Sequence, residues 1–262
     1  MDAVLLFSGQ GAQKVGMGKD LYDQYPVAKA LIEQADKALG ESLSAVMFEG
    51  PGEELTRTCN CQPALYVHGL ACLAVLKELV PSLNPVAAAG LSLGEFTAHA
   101  AAGTYSFEEG LRLVQKRGAF MEEACNATKG TMAAMIGGTD ENVIKLAQEC
   151  DVDVANFNCP GQTVVSGTEE GVAKAVAGAK AAGCKIAKKL NVAGAYHSRL
   201  MHSAMVKLAE ELKNISFGTP SMPVYCNYEA RVVEGPDDIR SMLEHQVCGS
   251  VRWTASMQKL VD

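Results

Sequence analysis

The pentapeptide Gly90-Leu91-Ser92-Leu93-Gly94 constrains this chain more than any other feature. It is a G-x-S-x-G pattern, and its surroundings give it meaning. Val86 to Gly90 is short and apolar enough for a buried strand. Glu95 to Ala102 reads as a helix. Strand, sharp turn and helix together form the nucleophile elbow of an α/β sheet. The glycines permit the tight backbone, and the helix start offers free N–H groups beside the serine. Ser92 is therefore a candidate nucleophile, and an ordinary turn serine is the alternative.

The chain has 262 residues, enough for one large domain or a large one with a small one. Apolar residues make up 48% and charged residues 20%, so a sizeable core forms and disorder is excluded. A net charge of −7 and the lack of any long basic tract argue against nucleic-acid binding. Nine scattered cysteines without a C-x-x-C pair fit free thiols in a reducing compartment, with no metal site. The N-terminus lacks the charged and apolar regions of a signal peptide. No apolar run long enough for a membrane span is expected. A cytoplasmic location follows, or a plastid or mitochondrion if a transit peptide has been removed.

The expected fold class is α/β, with a mainly parallel sheet in a large α/β-hydrolase-like subdomain and a ferredoxin-like small subdomain inserted in it. Ala3–Phe7 reads as a buried strand followed by the glycine-rich loop Ser8 to Gln13, which is neither a Walker motif nor G-x-G-x-x-G. Pro26 opens a helix closed by Gly40, and Pro63 is expected to open another through about Leu79. Ser106 and Glu109 form a capping box for a helix reaching about Cys125. Its apolar stripe is Phe107, Leu111, Val114, Gly118 and Met121. Arg117 flanks that stripe and must reach either water or an anion. Residues 131–190 read β-α-β-β-α-β, the ferredoxin-like order. The boundaries are 1–127 with 192–262 for the large part, and 128–191 for the small. A helix from Ser198 to about Lys213, a strand from Pro223 to Asn227 and a last helix from about Asp237 to Val247 complete the pattern.

A serine nucleophile needs a base and an oxyanion hole. Of the five histidines, His68, His99, His202 and His245 read as structural or solvated. His197 sits where a glycine-containing loop enters a helix. Chain order, serine before histidine, is compatible with a base there, but spacing alone leaves its role open.

Five motifs occur in order. They are Phe7-Ser-Gly-Gln-Gly-Ala-Gln13, Gly90-Leu-Ser-Leu-Gly-Glu-Phe96, Arg112-Leu-Val-Gln-Lys-Arg-Gly118, Asn156-Phe-Asn-Cys-Pro-Gly-Gln162 and Gly194-Ala-Tyr-His-Ser198. Together they resemble the malonyl-CoA:acyl carrier protein transacylase family, with the acyltransferase domains of polyketide synthases, over residues 3–262. The resemblance implies an acyl-enzyme on Ser92, with His197 as base. It implies oxyanion donors at the backbone of Gln10 and Leu93, and Arg117 as clamp for the malonyl carboxylate. Met121 would line the acyl pocket, and Gln246 would orient His197 through its backbone carbonyl. The substrate would be malonyl-CoA, with no permanently bound cofactor and no metal. The partner would be holo acyl carrier protein with its phosphopantetheine arm, with no nucleic acid or membrane, and the enzyme a monomer.

Some positions depart from the family pattern. Ser8 replaces a proline, Tyr196 a phenylalanine, and Gly249-Ser250 an Asn-Pro pair. The family continues beyond Asp262 with a further strand, a glycine loop and a helix, so a chain of this length is expected to be less stable. The rival readings are a serine hydrolase or thioesterase, which shares the elbow and base, and a noncatalytic homologue. Asn156 and Asn158 read as turn formers and Trp253 as core. Lys185, Lys188 and Lys189 read as a solvated strand face.

Overall fold

The apolar run to Phe7 makes Asp2–Phe7 a strand (β1) that buries Leu5 and Phe7 and exposes Val4 and Leu6 rather than being buried on both faces, and a run of helices follows it in the computed structural model, which describes residues 1–261. These are α1 (Lys19–Gln24), α2 (Pro26–Leu39), α3 (Leu43–Glu49), α4 (Gly52–Thr56) and α5 (Thr58–Leu79). Next come β2 (Asn84–Gly90), α6 (Leu93–Ala101), α7 (Phe107–Ala127) and β3 (Gly130–Ile136). The chain continues with α8 (Asp140–Glu149), β4 (Asp153–Cys159), β5 (Gln162–Thr168), α9 (Glu169–Gly178) and β6 (Ile186–Lys189). A 3-10 turn at Arg199–Met201 leads into α10 (His202–Lys213), then β7 (Val224–Tyr225), α11 (Pro236–His245) and α12 (Trp253–Val261).

By Cα proximity the chain divides into two units. The first comprises Met1–Ala119, Glu211–Tyr225 and Val232–Ile239. Its sheet has the order β1-β2-β7, all parallel, with Phe7 opposite Gly90 at the carboxyl ends. α6 packs on β1 and β2, and α5 lies between α2 and α6. Two glycines let α7 reach α5 closely. A Cβ at Gly118 would meet the Thr58 carbonyl oxygen at 2.5 Å, and one at Gly110 the Tyr66 hydroxyl at 2.2 Å.

The second unit comprises Phe120–Glu210, Cys226–Arg231 and Arg240–Asp262. Its sheet has the order β4-β5-β3-β6, all antiparallel, which is the ferredoxin-like arrangement the sequence predicts. α8 and α9 cover one face, with Val143, Leu146, Val165, Val172 and Ala175 in its core. Thr139 and Thr168 cap these helices through side chains that accept from Asn142 N and Gly171 N.

Several expectations need correction. Pro63 does not open α5 but lies inside it, after a start at Thr58. Its fixed φ suits a helix, and the cost is one lost N–H bond near the helix start. α1, α3, α4 and α12 are too short or too mixed in pattern to be read from periodicity, and α12 lies beyond the helix taken as last. Among the described residues one helix, α5, is long and apolar enough to cross a membrane by length and composition, although Thr58, Asn60, Gln62 and His68 interrupt its apolar run. Half its residues are buried within the first unit, including the polar Thr58 and Gln62, as befits a core helix. All nine cysteines are free, and Cys159 is the exposed one.

Candidate active site

The strand-to-helix corner in the first unit is built by glycines that nothing else can replace. A Cβ at Gly90 would fall 1.9 Å from the Gly94 carbonyl carbon. One at Gly94 would fall 2.2 Å from the Phe7 carbonyl oxygen. One at Gly9 would fall 2.4 Å from the Leu91 carbonyl oxygen. The loop after β1 therefore lies backbone to backbone on the corner, pinned by Leu91 N–H donating to Phe7 O at 3.0 Å. That contact brings Gln10 to the corner that holds Ser92 and Leu93.

Ser92 occupies φ 54°, ψ −105°, a region that costs a non-glycine residue about 1–3 kcal/mol. The strain holds its side chain at the mouth of α6, where it is half-buried. Leu93 N–H is the first of α6, so no carbonyl within the helix accepts from it. An oxyanion forming on a carbonyl attached to Ser92 would meet this donor and the positive end of the helix.

Arg117 neither snorkels nor reaches the surface. It is 1% exposed, and its Nη2 donates to Ser92 Oγ at 3.2 Å. Its Nη1 donates to Gln62 Oε1 at 2.7 Å, and its guanidinium lies over the Phe96 ring at 5.0 Å. The forked guanidinium is thus fixed in plane, with Nη1 held by Gln62 and Nη2 aimed at the serine oxygen. Such a fork suits a carboxylate borne by an acyl group on that serine. Gln62 is a residue that sequence reasoning missed. A glutamine inside the apolar run of α5 was the signal, since a buried polar side chain needs a partner.

The second unit holds the other candidates. His197 is 4% exposed and, like Ser92, adopts a positive φ of 54°. Its Nδ1 lies 2.8 Å from the Gln246 carbonyl oxygen. A carbonyl only accepts, so Nδ1 carries the proton and Nε2 is left as the basic lone pair. Gln246 contributes this backbone atom from just beyond α11. Met121 is buried on α7.

The remaining histidines are placed as expected with one change. His99 is fully buried, with Nδ1 3.2 Å from Thr104 Oγ1, and burial pushes its pKa down to about 3. His68 is half-buried on α5, with burial lowering its pKa. His245 stacks on Tyr228 at 5.4 Å. His202 is the first residue of α10, since the helix expected from Ser198 begins as the 3-10 turn Arg199–Met201. Asn156 and Asn158 lie in β4 and not in a turn. Asn156 sits at a register shift, where the extra residue of a bulge lets an asparagine occupy a strand. Trp253 opens α12 and is half-buried rather than core.

This geometry, a strained serine at a strand-to-helix corner and a buried guanidinium on it, defines an acyl-transferring class of site. Residues 4–261 match the acyl transferase domain family, and the chain belongs to it. The malonyl CoA-acyl carrier protein transacylase of Bacillus subtilis is 43% identical over 98% of this chain and 82% of its own length. The solved malonyl CoA-acyl carrier protein transacylase of Coxiella burnetii superposes with a TM-score of 0.95 at 35% identity, covering 98% of this chain and 83% of that one. A malonyl-transacylase solved with its type II polyketide acyl-carrier protein gives a TM-score of 0.94 at 36% identity, covering 98% and 84%.

Proposed function

We propose that this chain transfers a malonyl group from coenzyme A to the phosphopantetheine thiol of an acyl carrier protein through an ester on Ser92. The observation that carries this reading is the buried Arg117 guanidinium whose Nη2 donates to the serine hydroxyl. A hydrolase of neutral esters has no use for a buried cation there. Family membership and the names of the relatives support the same reaction.

In the first half-reaction Ser92 Oγ attacks the thioester carbonyl, and His197 Nε2 takes the hydroxyl proton. The backbone N–H groups of Gln10 and Leu93 stabilise the oxyanion. Collapse breaks the carbon–sulfur bond, and His197 returns the proton to the departing coenzyme A thiol. In the second half the carrier thiol gives its proton to His197 and attacks the ester, and His197 returns that proton to Ser92 Oγ as the ester carbon–oxygen bond breaks. Arg117 leaves the serine oxygen for the malonyl carboxylate, and Met121 lines the acyl pocket. The Gln246 carbonyl keeps His197 in the tautomer both steps need. The chain's own groups suffice for these proton and acyl transfers, so we propose no resident cofactor. A monomer with residues 128–191 inserted as a small subdomain between 1–127 and 192–262 completes the reading. Free cysteines throughout fit a reducing compartment such as the cytoplasm.

Intact-protein mass spectrometry after brief exposure to malonyl-CoA tests the proposal. A malonyl adduct should form on the wild type, be absent from Ser92→Ala, and disappear on addition of holo carrier protein with the malonyl group on the carrier. Release of free malonate without a carrier at the same rate would overturn transfer in favour of hydrolysis. An unlabelled, folded protein would overturn both.

A further inference from the structure

The backbone of His197 sits at φ 54°, a left-handed conformation that a non-glycine residue keeps only where the surroundings impose it. Following the histidine, the restraints are plain. Ser198 Oγ donates to the Ala195 carbonyl at 2.6 Å and accepts from Leu200 N–H at 3.2 Å. Arg199 N–H donates to Asp153 Oδ2 at 2.8 Å. The imidazole itself is tied to the Gln246 carbonyl.

Preceding the histidine, the loop rests on one side chain of α7. A Cβ at Gly194 would lie 2.2 Å from Cys125 Sγ and 2.8 Å from Cys125 Cβ, so the glycine backbone is in direct contact with that thiol. Two residues on, the Tyr196 side chain hydrogen-bonds the same thiol. Both side chains are buried, at 6% exposure for Tyr196 and 7% for Cys125. Ala195, between them, lies against Gly130, where a Cβ would approach its methyl to 2.6 Å. Gly194, Tyr196 and Cys125 thus form a closed contact immediately before the strained residue.

We propose that Cys125 is a positioning residue for His197, its thiol being the seat that holds residues 194–196 and so fixes where the imidazole points. The inference rests on the reading of His197 as the general base. Burial holds the thiol up at about 11, so it stays protonated and is not a nucleophile. Its role is that of a neutral acceptor of the right size. Alanine would remove the acceptor and leave a buried tyrosine hydroxyl without it, whereas serine would keep an acceptor in place. Tyr196 carries the matching half of the device, since phenylalanine lacks the donor.

The test compares wild type with Cys125→Ala, Cys125→Ser, Tyr196→Phe, the Cys125→Ala/Tyr196→Phe double variant and His197→Ala as reference. Cys125→Ala and Tyr196→Phe should each lower kcat for malonyl transfer about tenfold, with KM moved less than about twofold. The double variant should be no slower than either single one, because both remove the same contact. Cys125→Ser should recover most of the rate. The acid limb of kcat/KM should shift in Cys125→Ala and return in Cys125→Ser. Losses that multiply in the double variant, or a lowered Tm with wild-type kcat in both singles, would overturn the inference. If His197→Ala is inactive while Cys125→Ala runs at full speed, only the positioning role falls. If His197→Ala remains active, the base assignment falls first.

Discussion

Arg117 keeps its charge where water does not reach, and an arrangement of that kind is stable only if strong acceptors surround it. Gln62 Oε1 and Ser92 Oγ are two such acceptors, and both are neutral. On the proposed reading, a carboxylate brought in on the acyl group would give Nη2 a charged acceptor in place of the serine hydroxyl. Arg117→Ala should therefore reduce kcat/KM for malonyl-CoA by about 10²–10³-fold, the equivalent of losing a charge-assisted bidentate contact of ~3–4 kcal/mol. Transfer of an acetyl group, which has no free carboxylate, should change less than about threefold. Arg117→Lys should behave more like alanine than like wild type, because an ammonium cannot form the planar fork held by Gln62 and Phe96. Steady-state rates with the two thioesters check this directly. An unchanged ratio of malonyl to acetyl transfer would remove Arg117 from the acyl-recognition role.

At the scale of elements, the helix that carries Arg117 begins on a reciprocal cap. Ser106 N–H donates to Glu109 Oε2 at 3.1 Å, and Glu109 N–H donates to Ser106 Oγ at 3.2 Å. The Ser106 hydroxyl also donates to the same carboxylate, which lowers the Glu109 pKa. Ser106→Ala leaves one backbone donor of α7 without its cap and should cost about 1 kcal/mol of stability. The change lies three turns from Arg117, so the malonyl rate should stay near wild type, and urea unfolding alongside the transfer assay separates the two effects. A stability loss below the precision of the unfolding curve would mean that water replaces the hydroxyl at no cost. This cap was legible in the sequence because its whole content is local, four residues with fixed spacing. The elbow was legible for the same reason, as were β3 to β6, where period-two and helical patterns alternate cleanly. What the sequence hid is non-local. Gln62 meets Arg117 from 55 positions away in the chain, and no local pattern announces that pair. The start of α5 was misplaced because Pro63 reads as a punctuation mark, while the contact of Gly118 with Thr58 makes the preceding turn worth keeping helical. Asn156 was misread because a bulge depends on the partner strand, which the segment alone does not contain.

Acid sensitivity of the whole fold follows from one buried ring. His99 is enclosed on all sides, and its protonation is resisted until about pH 3. In the unfolded chain the same residue titrates near its ordinary value of about 6.5. Below that pH the unfolded state takes up a proton that the folded state refuses, so unfolding gains free energy as pH falls. The contribution is negligible above pH 7 and grows by up to ~1.4 kcal/mol per pH unit between about 6.5 and 3. From pH 7.5 to pH 5 the loss from this residue is about 2 kcal/mol. The interval lies wholly above the folded value, so only the direction of the shift and the unfolded pKa decide the size. His68, also lowered by burial, adds to the loss with the same sign. Glu109, with its lowered pKa, contributes its own loss only at more acidic pH, below its unfolded value of about 4.3, which leaves this window to the histidines. His99→Gln retains a group able to hydrogen-bond Thr104 but cannot take up a proton. Unfolding free energies from urea titrations at pH 7.5 and pH 5 should therefore differ by about 2 kcal/mol less in His99→Gln than in the wild type. Equal pH dependence in the two proteins would show that the ring is reached by protons in the folded state, and the buried neutral histidine would have to be abandoned.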